Sequence, residues 1–151
     1  MTAPMFRSFM SDALTEARAA AARGEVPVGA VVTRGGEVLA RAGNRTRELV
    51  DPTAHAEMLA IREACAVTGS ERLTGCVLWV TLEPCAMCAQ AIAHARLDRL
   101  HFGAADPKSG GVLHGARVFD HSQTHHAPEI HEGAEAEACA TLLRDFFAAR
   151  R

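Results

Sequence analysis

Neither sign of charge dominates this chain: 16 Lys and Arg stand against 18 Asp and Glu, a formal charge of −2 at pH 7. No global positive field therefore announces a nucleic-acid partner, although a local basic patch would suffice for one. The sequence has no apolar run of membrane-spanning length and no charged-then-apolar leader, so the expectation is a soluble cytoplasmic protein. Internal repeats and low-complexity linkers are also missing, and 151 residues suit one domain with a proper core, residues 1–151. The cysteines number five, an odd count that argues against a disulfide framework and for reduced thiols. Cys65, Cys76 and Cys139 are expected as small buried apolar residues.

The other two cysteines are placed differently. Thr81-Leu82-Glu83-Pro84-Cys85-Ala86-Met87-Cys88 follows Val77-Leu78-Trp79-Val80, an apolar run that reads as a buried strand. Pro84 stands where a helix would start, since its fixed φ suits the first turn and its missing N–H would have no partner there. Cys85 and Cys88 then fall at i and i+3 on that turn, with both sulfurs pointing one way. The helix N-terminus favours thiolates, the form that binds metal. Upstream, Asp51-Pro52-Thr53-Ala54-His55-Ala56-Glu57 opens another helix after a turn signal, which makes His55 the natural third ligand. Three protein ligands leave the fourth position of zinc open, as in a catalytic site. Glu57, two residues on, is placed to move the protons of a bound water. Taken singly, Cys-x-x-Cys also fits a structural zinc knuckle or a redox pair, and His-x-Glu a surface helix. His94, His101, His114, His121, His125, His126 and His131 could offer a fourth ligand, but none has a short fixed spacing, and solvated loop histidines are expected.

Around these motifs, Met5 to Ala22 has helical apolar spacing, with Phe6, Phe9, Met10, Ala13, Leu14 and Ala17 on one side. Val28–Val32 and Glu37–Arg41 read as a hairpin turning at Arg34-Gly35-Gly36. A helix follows from about Thr53 to Val67, with Met58, Leu59, Ile61 and Ala64 inward and Gly69 at its end. The Cys helix runs from Ala86 to about Ala95, and Asp98–Ala104 is a fourth strand. Residues 105–124 read as long loops with one short helix, a length more often functional than idle. Ala127–His131 is a short edge strand, and Ala134–Arg151 a closing helix with Ala138, Leu142, Leu143, Phe146 and Phe147 along one side. Alternating helices and strands argue an α/β layer with a partly parallel sheet.

His55-Ala56-Glu57 with Pro84-Cys85-Ala86-Met87-Cys88 resembles the zinc-dependent nucleoside and nucleobase deaminases. The likeness is greatest to bacterial tRNA-specific adenosine deaminases. It extends through Gly24–Val31, Gly43-Asn44-Arg45, Asp51–Met58, Val80–Cys88, Phe102-Gly103-Ala104 with Asp106 and Lys108, and Leu143–Phe147. The resemblance implies a cytidine-deaminase-like three-layer α/β/α sandwich with a five-stranded mixed sheet, one zinc ion per subunit and a homodimer. It further implies hydrolytic deamination of adenosine to inosine at the wobble position of a tRNA anticodon. Zinc, held by His55, Cys85 and Cys88, would supply the attacking hydroxide, and Glu57 would shuttle protons. Residue by residue, it places Asn44 and the Ala56 main chain on the base, and Val26, Leu82 and Pro84 around the pocket. Asp106 and Lys108 would hold flanking nucleotides, with Phe147 and Arg150 touching the anticodon loop. Phe147 beside Arg150-Arg151 offers a stacking face with phosphate contacts, although of the adjacent Phe146 and Phe147 at least one should be core. Two rivals stand: a free nucleobase deaminase acting on guanine or cytosine, and a non-catalytic zinc-bound RNA-binding subunit. The first leaves Asp106, Lys108 and Phe147 without a common reason; the second would be expected to lose Glu57.

Overall fold

In a computed structural model, which describes residues 7–150, the chain folds around a five-stranded sheet of order β2-β1-β3-β4-β5. The strands are β1 (Gly29–Arg34), β2 (Glu37–Gly43), β3 (Cys76–Leu82), β4 (Arg99–Ala104) and β5 (Glu129–Glu132). β1 pairs antiparallel with β2 and β3, whereas β3–β4 and β4–β5 are parallel. The central strands are apolar at nearly every position because helices cover both faces of the sheet. On one face, α2 (Ala56–Thr68) and α3 (Ala86–Ala95) pack on Ala30, Val32, Leu78, Val80, Leu100 and Phe102. On the other, α1 (Met10–Ala22) and α4 (Ala136–Ala148) cover Val31, Trp79 and Ala104. This is the α/β/α sandwich with a five-stranded mixed sheet.

The hairpin turns on Gly35 and Gly36, both at positive φ (57° and 81°), with Arg34 opposite Glu37. A two-residue loop of that hand matches the strand twist, and glycine reaches it without strain. The parallel pair β3–β4 is joined through α3, while β4 and β5 are joined by the irregular segment 105–128, which contains one 3₁₀ turn, Val118–Asp120. No helix among the described residues is long and apolar enough to cross a membrane.

Several boundaries differ from expectation. The first helix begins at Met10, not Met5, because Ser8 Oγ accepts the Met10 N–H (3.3 Å) and turns the chain into it; Met5 and Phe6, like Arg151, lie outside the described residues. The second begins at Ala56, not Thr53, since Asp51 Oδ1 ties up both the Thr53 N–H (2.8 Å) and its hydroxyl (2.7 Å). Its buried face is Ala56, Glu57, Ala60, Ile61 and Ala64; Met58 and Leu59 are only half-buried. Small residues on that face let the helix lie close to the sheet. The closing helix begins at Ala136, not Ala134, after Gly133 and Glu135 take positive φ. Cys76 and Cys139 are buried and Cys65 half-buried.

Candidate active site and metal centre

Two helix starts meet at one end of the sheet. His55 is the residue before α2, with extended backbone (φ −70°, ψ 154°), and Cys85 holds the same place before α3 (φ −71°, ψ 175°). Pro84 thus sits one residue ahead of the helix cap instead of in its first turn, and its carbonyl accepts the Gly111 N–H at 2.8 Å. Cys88, one turn along, completes the set. His55 Nδ1 is 3.6 Å from Cys85 Sγ and 3.4 Å from Cys88 Sγ, and all three donor atoms lie within 4.8 Å of one another. With Zn–N near 2.0 Å and Zn–S near 2.3 Å, a tetrahedral N-to-S edge is about 3.5 Å, so the donors stand where one zinc ion would hold them. The soft thiolates and imidazole suit that metal. Among the described residues, no histidine of the loops joins the three.

The electrostatics fit the geometry. Hydrogen bonds from Cys88 and His55 hold the Cys85 thiol down at about 4, whereas the same Cys85 sulfur, together with burial, pushes Cys88 up. Cys85 is the readier thiolate of the pair. His55 is raised by its contact with Cys85. Glu57, only 4% exposed, has its carboxyl pushed above the ordinary range by burial, partly offset by its own backbone N–H and by His55. A carboxyl that holds its proton closer to neutrality is suited to accept and return one.

A cavity of about 220 Å³ opens on these groups. It brings together the expected Val26, Asn44, Ala56, Leu82 and Asp106 with His55, Glu57 and Cys85. Asn44 is 6% exposed, its side-chain amide donating to Thr46 Oγ1 (3.3 Å) and its main-chain carbonyl accepting from the Arg23 guanidinium (3.3 Å). Pro84 is buried and does not line the cavity. Next to it lies a second cavity of about 470 Å³, which shares Val26, Leu82, Asp106 and Ser109 and adds Lys108, Arg144 and Phe147. Phe147 is 45% exposed while Phe146 is buried, which divides the pair between surface and core. Arg150 lines neither cavity; its guanidinium lies 3.4 Å from the Phe146 ring centroid and donates to the Phe146 carbonyl.

Sequence reasoning missed Val28, Thr46, Glu83 and Ser109, which also line the first cavity. It also missed the two buried glutamates that hold the rim. Glu25, 2% exposed, accepts the N–H groups of Arg47 (3.2 Å) and Glu48 (2.8 Å), and Glu83, also 2% exposed, binds the 106–114 stretch. Burial alone would raise the Glu83 carboxyl, but the amides of Asp106, Leu113 and Val112 and the His114 ring outweigh it and hold it below the usual range. For Glu83 the only signal was a charged residue directly after the apolar strand β3; Glu25 carried none. Nor are all the histidines solvated loop residues. His101 is buried in β4, stacked between Trp79 (3.9 Å) and His131 (4.6 Å), where strand register aligns the three rings. His114 meets Glu83 at 2.7 Å, and His126 meets the Leu97 carbonyl at 2.7 Å.

A sheet layered between helices, with a His-Cys-Cys metal set beside a buried glutamate, defines a zinc-dependent deaminase. The chain matches the cytidine and deoxycytidylate deaminase zinc-binding region over residues 5–104 and belongs to that family. It is 54% identical over 143 residues to the tRNA-specific adenosine deaminase of Agrobacterium fabrum, covering 95% of this chain and 94% of that one. A solved tRNA:A34 deaminase, studied for A-to-I editing at the wobble position of transfer RNA, superposes with a TM-score of 0.88 at 55% identity. That match covers 89% of this chain and 98% of the other. The guanine deaminase of Bacillus subtilis superposes with a TM-score of 0.63 at 29% identity, over 94% and 91% of the two chains.

Proposed function

We propose that this protein, as one deaminase domain over residues 1–151, hydrolyses adenosine to inosine at the wobble position of a tRNA anticodon. The identity of 54% to a tRNA-specific adenosine deaminase, against 29% to a guanine deaminase, supports tRNA over a free base. The observation that carries the reading is the second cavity. A free base would fill the first and leave the second without a purpose. A nucleotide in a loop brings neighbours, and Phe147 offers them a stacking face flanked by Lys108 and Arg144 for phosphates.

The site supports the following roles. His55, Cys85 and Cys88 hold one zinc ion, which when bound supplies the Lewis acidity that makes water nucleophilic near neutral pH. Asn44 and the Ala56 backbone orient the extruded base, while Val26, Val28 and Leu82 exclude bulk water from its faces. Glu57 takes a proton from the attacking water and delivers it to the ring nitrogen as the C–O bond forms. It then carries the second water proton to the amino group, which departs as ammonia when the C–N bond breaks. A carbonyl remains on the ring, so the product is inosine. The main chain beside Pro84 shapes the turn, and Asp106, Lys108, Phe147 and Arg150 are assigned to the anticodon loop. Free thiols throughout agree with a cytoplasmic location. Pairing into a homodimer belongs to the same reading, and light scattering that gave a monomer mass would remove that part.

The test offers the purified zinc-loaded protein an anticodon stem-loop with adenosine at the wobble position and, in parallel, free adenosine, guanine and cytosine. Inosine in the stem-loop with the free compounds untouched is expected. Turnover of a free base with the stem-loop inert would move the protein to nucleobase salvage. Stable zinc-dependent binding of the stem-loop without any ammonia would make it a non-catalytic subunit.

A further inference from the structure

The segment after β4 has no regular structure between Ala105 and Arg117, yet it delivers Asp106, Lys108 and Ser109 to the cavity walls. One side chain holds it. Glu83 Oε1 accepts the Asp106 N–H at 3.0 Å and meets His114 Nδ1 at 2.7 Å. Its Oε2 accepts the N–H groups of Val112 (3.1 Å), Leu113 (3.0 Å) and His114 (3.2 Å). The Glu83 side chain has 0% exposure, so nothing but the loop satisfies it.

The loop is also pressed onto the metal side of the site. The Gly111 N–H donates to Pro84 O at 2.8 Å, and a Cβ at Gly111 would stand 2.5 Å from Ala86 N. A Cβ at Gly110 would stand 2.5 Å from both the Glu83 carboxylate and the Asp106 backbone carbonyl. Glycine is required at both positions because the carboxylate and the turn leave no room. Glu83 itself lies between Leu82, which walls both cavities, and the Pro84-Cys85 turn. One carboxylate therefore ties the loop that faces the substrate to the turn that carries a metal donor.

We infer that Glu83 is a positioning residue for RNA binding: it registers Asp106–Ser109 against the Pro84-Cys85 turn, so that nucleotides beside the target adenosine are held while its base meets Glu57. This rests on the tRNA reading above. Both acceptor oxygens matter, because a glutamine of the same shape replaces one of them with a donor that faces backbone N–H groups. A purely structural role would lower stability without changing which part of the RNA the enzyme feels.

The experiment compares wild-type and Glu83→Gln protein, both zinc-loaded, on the wobble-adenosine stem-loop and on stem-loops lacking the bases on either side. In Glu83→Gln, zinc stays at one per chain and kcat within about threefold, while KM rises about tenfold or more, as expected for lost ground-state binding contacts. The penalty for removing the neighbouring bases, present in wild type, falls toward none in the variant. An unchanged KM, or an undiminished penalty, overturns the inference. Gly110→Ala wedges a methyl between the Glu83 carboxylate and the Asp106 carbonyl it registers, with Glu83 in place, and stands in if Glu83→Gln does not fold. The same shift in KM and the same loss of the penalty are expected of it, and wild-type behaviour would overturn the inference. Wild-type protein inert on the stem-loop would instead overturn the tRNA reading, which separates the two failures.

Discussion

His101 shows how far a single residue can stand from what its type suggests. Burial, then His131 and Arg99, lower its ring to about 4 from the ordinary 6.5, with Glu129 opposing. Below pH 6.5 an unfolded chain takes up a proton that native His101 refuses. Stability therefore falls as pH drops from about 6.5 to about 4, and the deficit persists below that. Denaturant melts of wild type and His101→Phe across this window should show a shallower loss in the variant, whose ring still stacks on Trp79. Equal slopes would contradict the assignment. At this scale the meeting of His55, Cys85 and Cys88, with Glu57 on the same cavity, was legible, because the spacing within each motif is that of one helix turn. Glu25 and Glu83 were not: their partners are backbone N–H groups 22 to 31 residues away, and backbone carries no sequence signal. His101 was hidden for a related reason, since its stacking depends on the register of three strands.

Among the elements, the strands and helices were readable from periodicity and turn residues, whereas their first turns were set by side-chain bonds from Ser8 and Asp51. Close approach between elements was less visible. Gly29, at the start of β1, lies against α1 so tightly that an added Cβ would run into the Ala13 carbonyl and come within 2.5 Å of Ala17 N. Gly29→Ala must push the helix off the sheet, at a cost of about 1–3 kcal/mol. Thermal unfolding should then move down by about 2–10 °C for a chain of this size. An unchanged Tm would mean that α1 has slack that the packing does not show. The shift should leave zinc content intact, since α1 covers the opposite face of the sheet from α2 and α3.

Taken whole, the molecule uses its sheet as a platform: two helices on one face present their N-terminal ends and the metal donors together, and irregular segments close the cavity around them. The three donors come from two helix starts 30 residues apart, so a bound ion would tie α2 to α3. Chelation of the loaded protein should therefore lower its Tm as well as abolish turnover, with both restored by zinc. Loss of turnover with no change in Tm would show that the helices hold their places unaided.

The most direct test of the account is Glu57→Ala, with zinc content and inosine formation in a wobble-adenosine stem-loop measured on one sample. Glu57 lines the cavity beside His55 and Cys85 but is not counted among the metal donors. The variant should hold one zinc per chain, melt as a folded protein and lose turnover by about 10²-fold or more, the scale of general acid–base assistance. Loss of zinc or of folding in place of turnover alone would contradict the proton-shuttle assignment, and full turnover would remove Glu57 from the chemistry.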